Sequence, residues 1–269
     1  MRCGMSLRTL AHAIGVSPAT LSQIERGRTS LSATRLGEIA QQLDLDVADI
    51  LATEPNRLPV VTTTSLSTPF DWRVYGPLGF DSVLQAALED FVTIGYHGAT
   101  MRDIAARANL SVPGIYHHHG SKQSMLVSIM TETMTDLLKR AEAARDEGRD
   151  AVERFAALIE NLALFHTHRI KLMIVGGSEQ RSLEPANRER ISALRARTHR
   201  MVEEQVEQAV QDGQFKPSGA KERTRAVVTM VTALPTWWRV SGPLSPEQIA
   251  KQYVGFALDL MGESSQLRD

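Results

Sequence analysis

Apolar residues recur every three to four positions through most of the chain after Phe80. The pattern is plainest in "SVLQAALEDFVTIG" and "VERFAALIENLALFHTHR", where one stripe is apolar and the rest polar, as in an amphipathic helix. The same period predicts helices near Met125–Glu147, Ala151–His168, Ile170–Val175, Pro185–Asp212, Lys221–Val240 and Pro246–Met261. No strand-like alternation of useful length occurs after residue 79, so the expected fold is all-α. Residues 52–79 interrupt the pattern with Pro55, Pro59, Pro69, Pro77 and a Thr/Ser cluster. Proline lacks a backbone donor and disfavours helix at the residue before it. The stretch reads as an extended linker with a short strand at Val60–Thr63, and it sets residues 1–51 apart as a separate module.

The chain also repeats itself. "LRTLAHAIGVSPATLSQIERG" from Leu7 superimposes on "MRDIAARANLSVPGIYHHHGS" from Met101 at a shift of 94 residues. Ala11 falls on Ala105, Gly15 on Asn109, Ser17 on Ser111 and Leu21 on Ile115. Glycine and asparagine are the residues that best tolerate the left-handed conformation ending a helix. The serines suit the N-cap of a second helix, and the small alanines suit a close helix crossing. Each copy therefore predicts a helix-turn-helix.

In the later copy Ser111 would cap a short helix with Pro113 in its first turn, where a missing amide costs nothing. Gly114 lets the backbone approach a partner, Ile115 faces inward, and Tyr116, His117, His118 and His119 come next. Consecutive histidines diverge by about 100° on a helix, so one metal ion cannot easily collect them. No nucleophile or carboxylate stands at a recognisable catalytic spacing. Two readings stay open: helix capping and packing, or contact with the major groove through hydrogen-bonding groups and flat rings.

Residues 82–126, with Gly95-Tyr96, Thr100, "MRDIAARA" and "SVPGIYHHHGSK", resemble the N-terminal domain of the TetR/AcrR family of bacterial repressors. The resemblance implies a DNA-binding domain at residues 80–125 and a helical ligand-binding and dimerisation domain at 126–269. It implies phosphate contacts from Thr100 and Arg102, groove contacts from Ser111, Pro113, Gly114 and His117, and phosphate binding or helix positioning by Tyr116, His118 and Lys122. His119 stands where the family usually has a Phe that packs inward.

The first copy, with "SQIERG" at Ser22–Gly27, resembles a lambda-repressor/Cro-like (Xre-type) helix-turn-helix. That resemblance implies DNA contacts from Ser17, Thr20, Gln23 and Arg28. Residues 1–43 hold five arginines against two glutamates, an excess of the sign DNA attracts. That fold normally opens with a full helix before the position of Ser6, and five residues precede it here. Either the first helix is truncated or the true start lies upstream, and protein–protein contact is the other use of such a module.

"PTWWRVSGPLSPEQIAKQYVGFALDLM" resembles the end of TetR relatives that sense acyl-CoA, fatty-acid or sterol-derived effectors. Phe165, Met173 and Trp237 are the residues expected to line an effector pocket. Trp237 and Trp238 point about 100° apart, so one is expected inside and one at a rim or interface. The charged segment "RERISALRARTHRMVEEQVEQAV" predicts a long solvated helix with intrahelical ion pairs. His166 and His168, two apart, splay from one another and read as core or surface histidines.

Bulk numbers add only bounds. The 269 residues are 42% hydrophobic and 23% charged, an ordinary globular mix, and the net charge of −1 does not announce a nucleic-acid partner. One cysteine, Cys3, allows no intrachain disulfide. No apolar run reaches the ~18 residues that span a membrane, and no signal-peptide core opens the chain, so a cytoplasmic protein is expected. A phosphate-cradling glycine loop, a Cys/His cluster and a triad are all missing from the pattern, which predicts no enzyme, cofactor or metal site. The function expected is a dimeric regulator that binds double-stranded DNA and answers to a small-molecule effector. The alternative is a ligand-binding or scaffolding protein whose helix-turn-helix units hold other proteins.

Overall fold

The computed structural model describes residues 7–17, 20, 21, 24, 33–42 and 70–262, and every regular element among them is helical. The chain divides into two compact units, Met1–Ser67 and Thr68–Asp269. Val60–Thr63, Gln23 and Arg28 lie outside the described residues.

In the first unit α1 spans Leu7–Ala13 and α2 spans Ala33–Gln42; Thr20, Leu21 and Ile24 are helical between them. Ala11, Ile14 and Leu21 form its small core, with Leu10, Val16 and Ile39 packed against it.

The second unit holds α3 (Ser82–Gly98), α4 (Met101–Arg107), α5 (Val112–His118), α6 (Lys122–Glu147), α7 (Ala151–His168) and α8 (Ile170–Ser178). A 3-10 turn at Glu179–Ser182 leads to α9 (Pro185–Gln211), α10 (Ala220–Thr232), α11 (Leu234–Trp237) and α12 (Pro246–Met261). Helix α7 is the centre of the larger body, with α6, α9, α10 and α12 packed around it. Its sequence explains why: Phe155, Leu158, Ile159, Leu162, Leu164 and Phe165 put apolar groups all round the helix, the pattern of a fully buried one. Several starts result from capping chemistry. Ser245 and Gln248 form a reciprocal capping box, with Pro246 in the first turn, and this fixes the beginning of α12.

Three expectations change. The single helix read at Lys221–Val240 is two, because Pro235 has no amide to donate and would clash with the carbonyl four residues back. The arginines of α9 do not pair along their own helix; Arg197 meets Glu142 of α6, Arg190 meets Thr131, and Arg188 caps the carbonyls of Arg181 and Leu183. The face of α9 carrying Ile191, Met201, Val202 and Val206 is buried rather than solvated.

The last part of the proline-bearing stretch is not a free linker either. From Phe70 to Gly79 it is an irregular strap fixed to the helical body. Trp72 is 3% exposed, and its indole donates to Glu147 at 2.8 Å. Arg140, itself buried, donates to the carbonyls of Trp72 (2.7 Å) and Val74 (2.9 Å). Arg169 holds the Gly76 carbonyl at 2.7 Å, and Tyr75 stacks on His168.

Candidate nucleic-acid interface and effector cavity

The two sequence copies close their turns with matching hydrogen bonds. In the first unit the Gly15 amide donates to His12 (3.2 Å) and the Val16 amide to Ala11 (2.9 Å). In the second the Asn109 amide donates to Ala106 (3.2 Å) and the Leu110 amide to Ala105 (3.0 Å). Gly15 has φ +67° and Asn109 φ +55°, both left-handed, and Asn109 is the one non-glycine residue with positive φ among those described. Ser17 accepts the Thr20 amide at 3.1 Å, and Ser111 accepts the Gly114 amide at 3.2 Å. Each serine oxygen accepts the amide three residues further on, as an N-cap does.

Helix α5 is braced from behind. Ile115 is 0% exposed against α4, where Ile104 and Ala105 are buried. Ser111, Pro113, Tyr116, His117 and His118 are exposed on the other side, and Gly114 is partly exposed. A Cβ on Gly114 would come to 3.3 Å from the capping Ser111 hydroxyl, so glycine also serves the cap. Thr100 caps α4 by accepting the Asp103 amide at 3.2 Å, with Arg102 exposed in the same first turn.

Lys122 lies differently from a free phosphate ligand. Its ammonium donates to the Ala99 carbonyl at 2.6 Å and sits 4.6 Å from the Tyr96 ring centroid. Burial pushes its pKa down, with Glu179 opposing that shift. Lys122 therefore ties the start of α6 to the end of α3. His119 turns inward as the position predicts, but as a polar group: its Nε2 lies 3.1 Å from Asp81 Oδ2. The described residues contain no cluster of three metal-ligating side chains.

A cavity of about 320 Å³ lies between α6, α7, α8 and α9, with Thr232 at the end of α10 also on its wall. Met134, Leu137, Leu162 and Met173 give it an apolar wall, and His166, Arg195, Thr198 and His199 a polar one. Met173 is at this cavity. Phe165 is not: its side chain points into the solid core, edge-on to Tyr75, because α7 is buried on every side. Trp237 is not either; it is half exposed and stacks near Tyr253, while Trp238 is the buried one and donates to the Leu244 carbonyl at 3.1 Å. His166 is a satisfied core histidine on one side, its Nδ1 2.7 Å from the Leu162 carbonyl, and it lines the cavity as well. Burial lowers its pKa to about 4; the Leu162 carbonyl opposes this and nearby Arg195 adds to it. Arg195, Thr198 and His199 were missed at the sequence level. They stand at i, i+3 and i+4 on α9, on the stripe that also carries Ile191 and Val202, and polar residues interrupting a buried stripe were the signal available.

Comparison with known proteins agrees with this architecture. Residues 83–129 match the model of the tetR family of bacterial regulatory proteins, and residues 148–261 match the tetracyclin repressor-like C-terminal domain. Residues 1–50 match a helix-turn-helix model. The HTH-type transcriptional repressor KstR2 of Mycolicibacterium smegmatis is 26% identical over 182 residues, covering 66% of this chain and 88% of that protein. Among solved structures, a tetR-family regulatory protein from Rhodococcus RHA1 superimposes with a TM-score of 0.64 at 27% identity, covering 68% of this chain and 96% of the other. AibR, solved with isovaleryl coenzyme A and operator DNA, gives a TM-score of 0.60 at 28% identity, covering 65% and 95%. The braced reading helix, the helical body behind it and these matches together place the chain in the TetR family of DNA-binding transcriptional regulators, with a further helix-turn-helix segment ahead of the family's own.

Proposed function

We propose that the protein is a cytoplasmic repressor that binds a pseudo-palindromic operator as a homodimer and is released by a small apolar or amphipathic effector, acyl-CoA or fatty-acid-like. The observation that carries the reading is α5: a short helix anchored by the fully buried Ile115, with its polar edge open. Two such helices, one per protomer, would enter successive major grooves about one helical turn apart. Ser111, Pro113, Gly114 and His117 would lie at base edges. Thr100, Arg102, Tyr116 and His118 would hold phosphates. Lys122 positions the turn through Ala99. In the first module Ser17, Thr20, Gln23 and Arg28 are the corresponding candidates.

Exposed apolar side chains at Trp237, Phe256 and Leu260 supply a surface for the partner protomer. The effector's route to the DNA-binding domain is short. Met173 and Gly177 of the cavity wall belong to α8, which packs directly on α3, and Lys171 of α8 pairs with Glu89 of α3 at 2.6 Å. An effector that favours one placement of α8 would change the operator affinity by its differential affinity for the two states. AibR's complex with isovaleryl coenzyme A and operator DNA supports the acyl-CoA member of the class. A titration of the DNA upstream of its own gene against random DNA, at rising salt, tests the reading. Preferential, salt-sensitive binding is expected; equal binding to both DNAs at low salt would overturn it.

A further inference from the structure

Two arginines deep in the helical body share one counter-ion: Arg140 and Arg169 both meet Asp136. Nearer the surface, Arg107 meets Asp90, and Arg73 meets Glu147 and Glu160. Arg195, on the cavity wall, has no carboxylate partner among the described residues. Its guanidinium donates to the Gln180 side chain at 2.6 Å and to the Gly176 carbonyl, both neutral. Burial alone acts on its pKa, pushing it down. Glu203, two turns along the same helix, faces other surface depressions and does not line this cavity. Beside Arg195, Thr198 is 2% exposed and its hydroxyl has no hydrogen-bond partner. Both histidines at the site have pKa values lowered first by burial, so the standing charge is the guanidinium's.

A half-buried cation without a counter-ion and a buried hydroxyl without a partner are each costly when left unmade. Here they adjoin the same space, opposite Met134, Leu137, Leu162 and Met173. We infer that the effector is a free carboxylic acid with a short to medium apolar tail, its carboxylate seated on Arg195 and Thr198. A guanidinium fork matches a carboxylate in shape and charge. A thioester carbonyl could accept a hydrogen bond there but would leave the charge uncompensated. The inference rests on the cavity being the effector site, and it chooses the acid over its coenzyme A ester.

The test is calorimetric titration of the full chain, without DNA, using octanoate, methyl octanoate and octanoyl-coenzyme A, followed by operator binding with each. Octanoate should bind roughly tenfold or more tightly than either ester, the size of a lost charge-assisted hydrogen bond. Arg195→Gln should erase that preference. Thr198→Val, nearly isosteric and not a partner in the Gly176 and Gln180 hydrogen bonds, should weaken octanoate roughly threefold or more and leave methyl octanoate unchanged. The inference fails if octanoyl-coenzyme A binds as tightly as octanoate, if octanoate binds without dependence on either residue, or if octanoate does not bind. Arg195-dependent octanoate binding with no effect on operator affinity would uphold the carboxylate seat on Arg195 and Thr198 and overturn ligand-responsive repression instead.

Discussion

The carboxylate of Asp81 holds the first helix of the DNA-binding domain and the end of its reading helix at once. Oδ1 accepts the Leu84 amide at 2.8 Å, capping α3, and Oδ2 lies 3.1 Å from Nε2 of His119, the residue that closes α5. Desolvation pushes the Asp81 pKa up, but the Leu84 amide and the His119 ring outweigh it, and the pKa falls below its ordinary value.

Asp81→Ala should therefore lower stability by about 1 kcal/mol at neutral pH, the usual worth of an N-cap. A depressed carboxyl pKa stabilises the fold above the unfolded-state value and loses that effect as pH falls through the folded value. The difference between wild type and variant, measured by urea unfolding, should be full at about pH 6 and shrink below about pH 4. A constant difference across that range would contradict it.

Arg102→Ala and His117→Ala should weaken DNA binding in different ways. Loss of a phosphate contact lowers affinity for all sequences and reduces the salt slope by about one. Loss of a groove contact flattens discrimination between operator and random DNA, by about 1–3 kcal/mol per base pair read. Fluorescence anisotropy at several salt concentrations separates the two outcomes.

His166 gives the fold an acid sensitivity of its own. Its folded pKa is about 4, and a free histidine titrates near 6.5. The unfolded chain therefore binds more protons between those values, and stability falls as pH drops from about 6.5 towards 4, by up to about 3 kcal/mol. The slope should diminish in His166→Leu, monitored by thermal melting across that range.

Arg140→Met should cost about 2–4 kcal/mol, because it leaves the Trp72 and Val74 carbonyls and the Asp136 carboxylate short of a donor in a buried site. It should also open the strap at residues 70–79 to proteolysis in otherwise folded protein. Unchanged cleavage there would show that the contacts of Trp72, Arg73, Tyr75 and Arg169 hold the strap without Arg140.

What the sequence disclosed was the chemistry that acts within a few residues. Gly15 and Asn109 end their helices left-handed because no other nearby residue tolerates that conformation as well, and Ser17 and Ser111 cap the helices after them. The strap was not legible, since its prolines speak for irregular chain and its grip comes from Arg140 and Arg169, more than 60 residues away. The cavity wall was half legible. On a helix buried all round, such as α7, periodicity cannot say that Leu162 and His166 face a void while Phe165 faces solid core. Pro235 did carry a readable warning of the break between α10 and α11, overridden by the apolar run around it.

Helix α6 is a single rod of 26 residues, with Met134 and Leu137 midway along it and Lys122 at the end beside α5. At 1.5 Å per residue the arm from Met134 to Lys122 is roughly 18 Å long. A tilt of about 5° at the middle carries the tip by on the order of 1.5 Å, and in a pair of protomers the two displacements add. A molecule no larger than a few methylene groups, wedged at mid-shaft, would thus work with leverage, its size mattering less than its distance from the pivot.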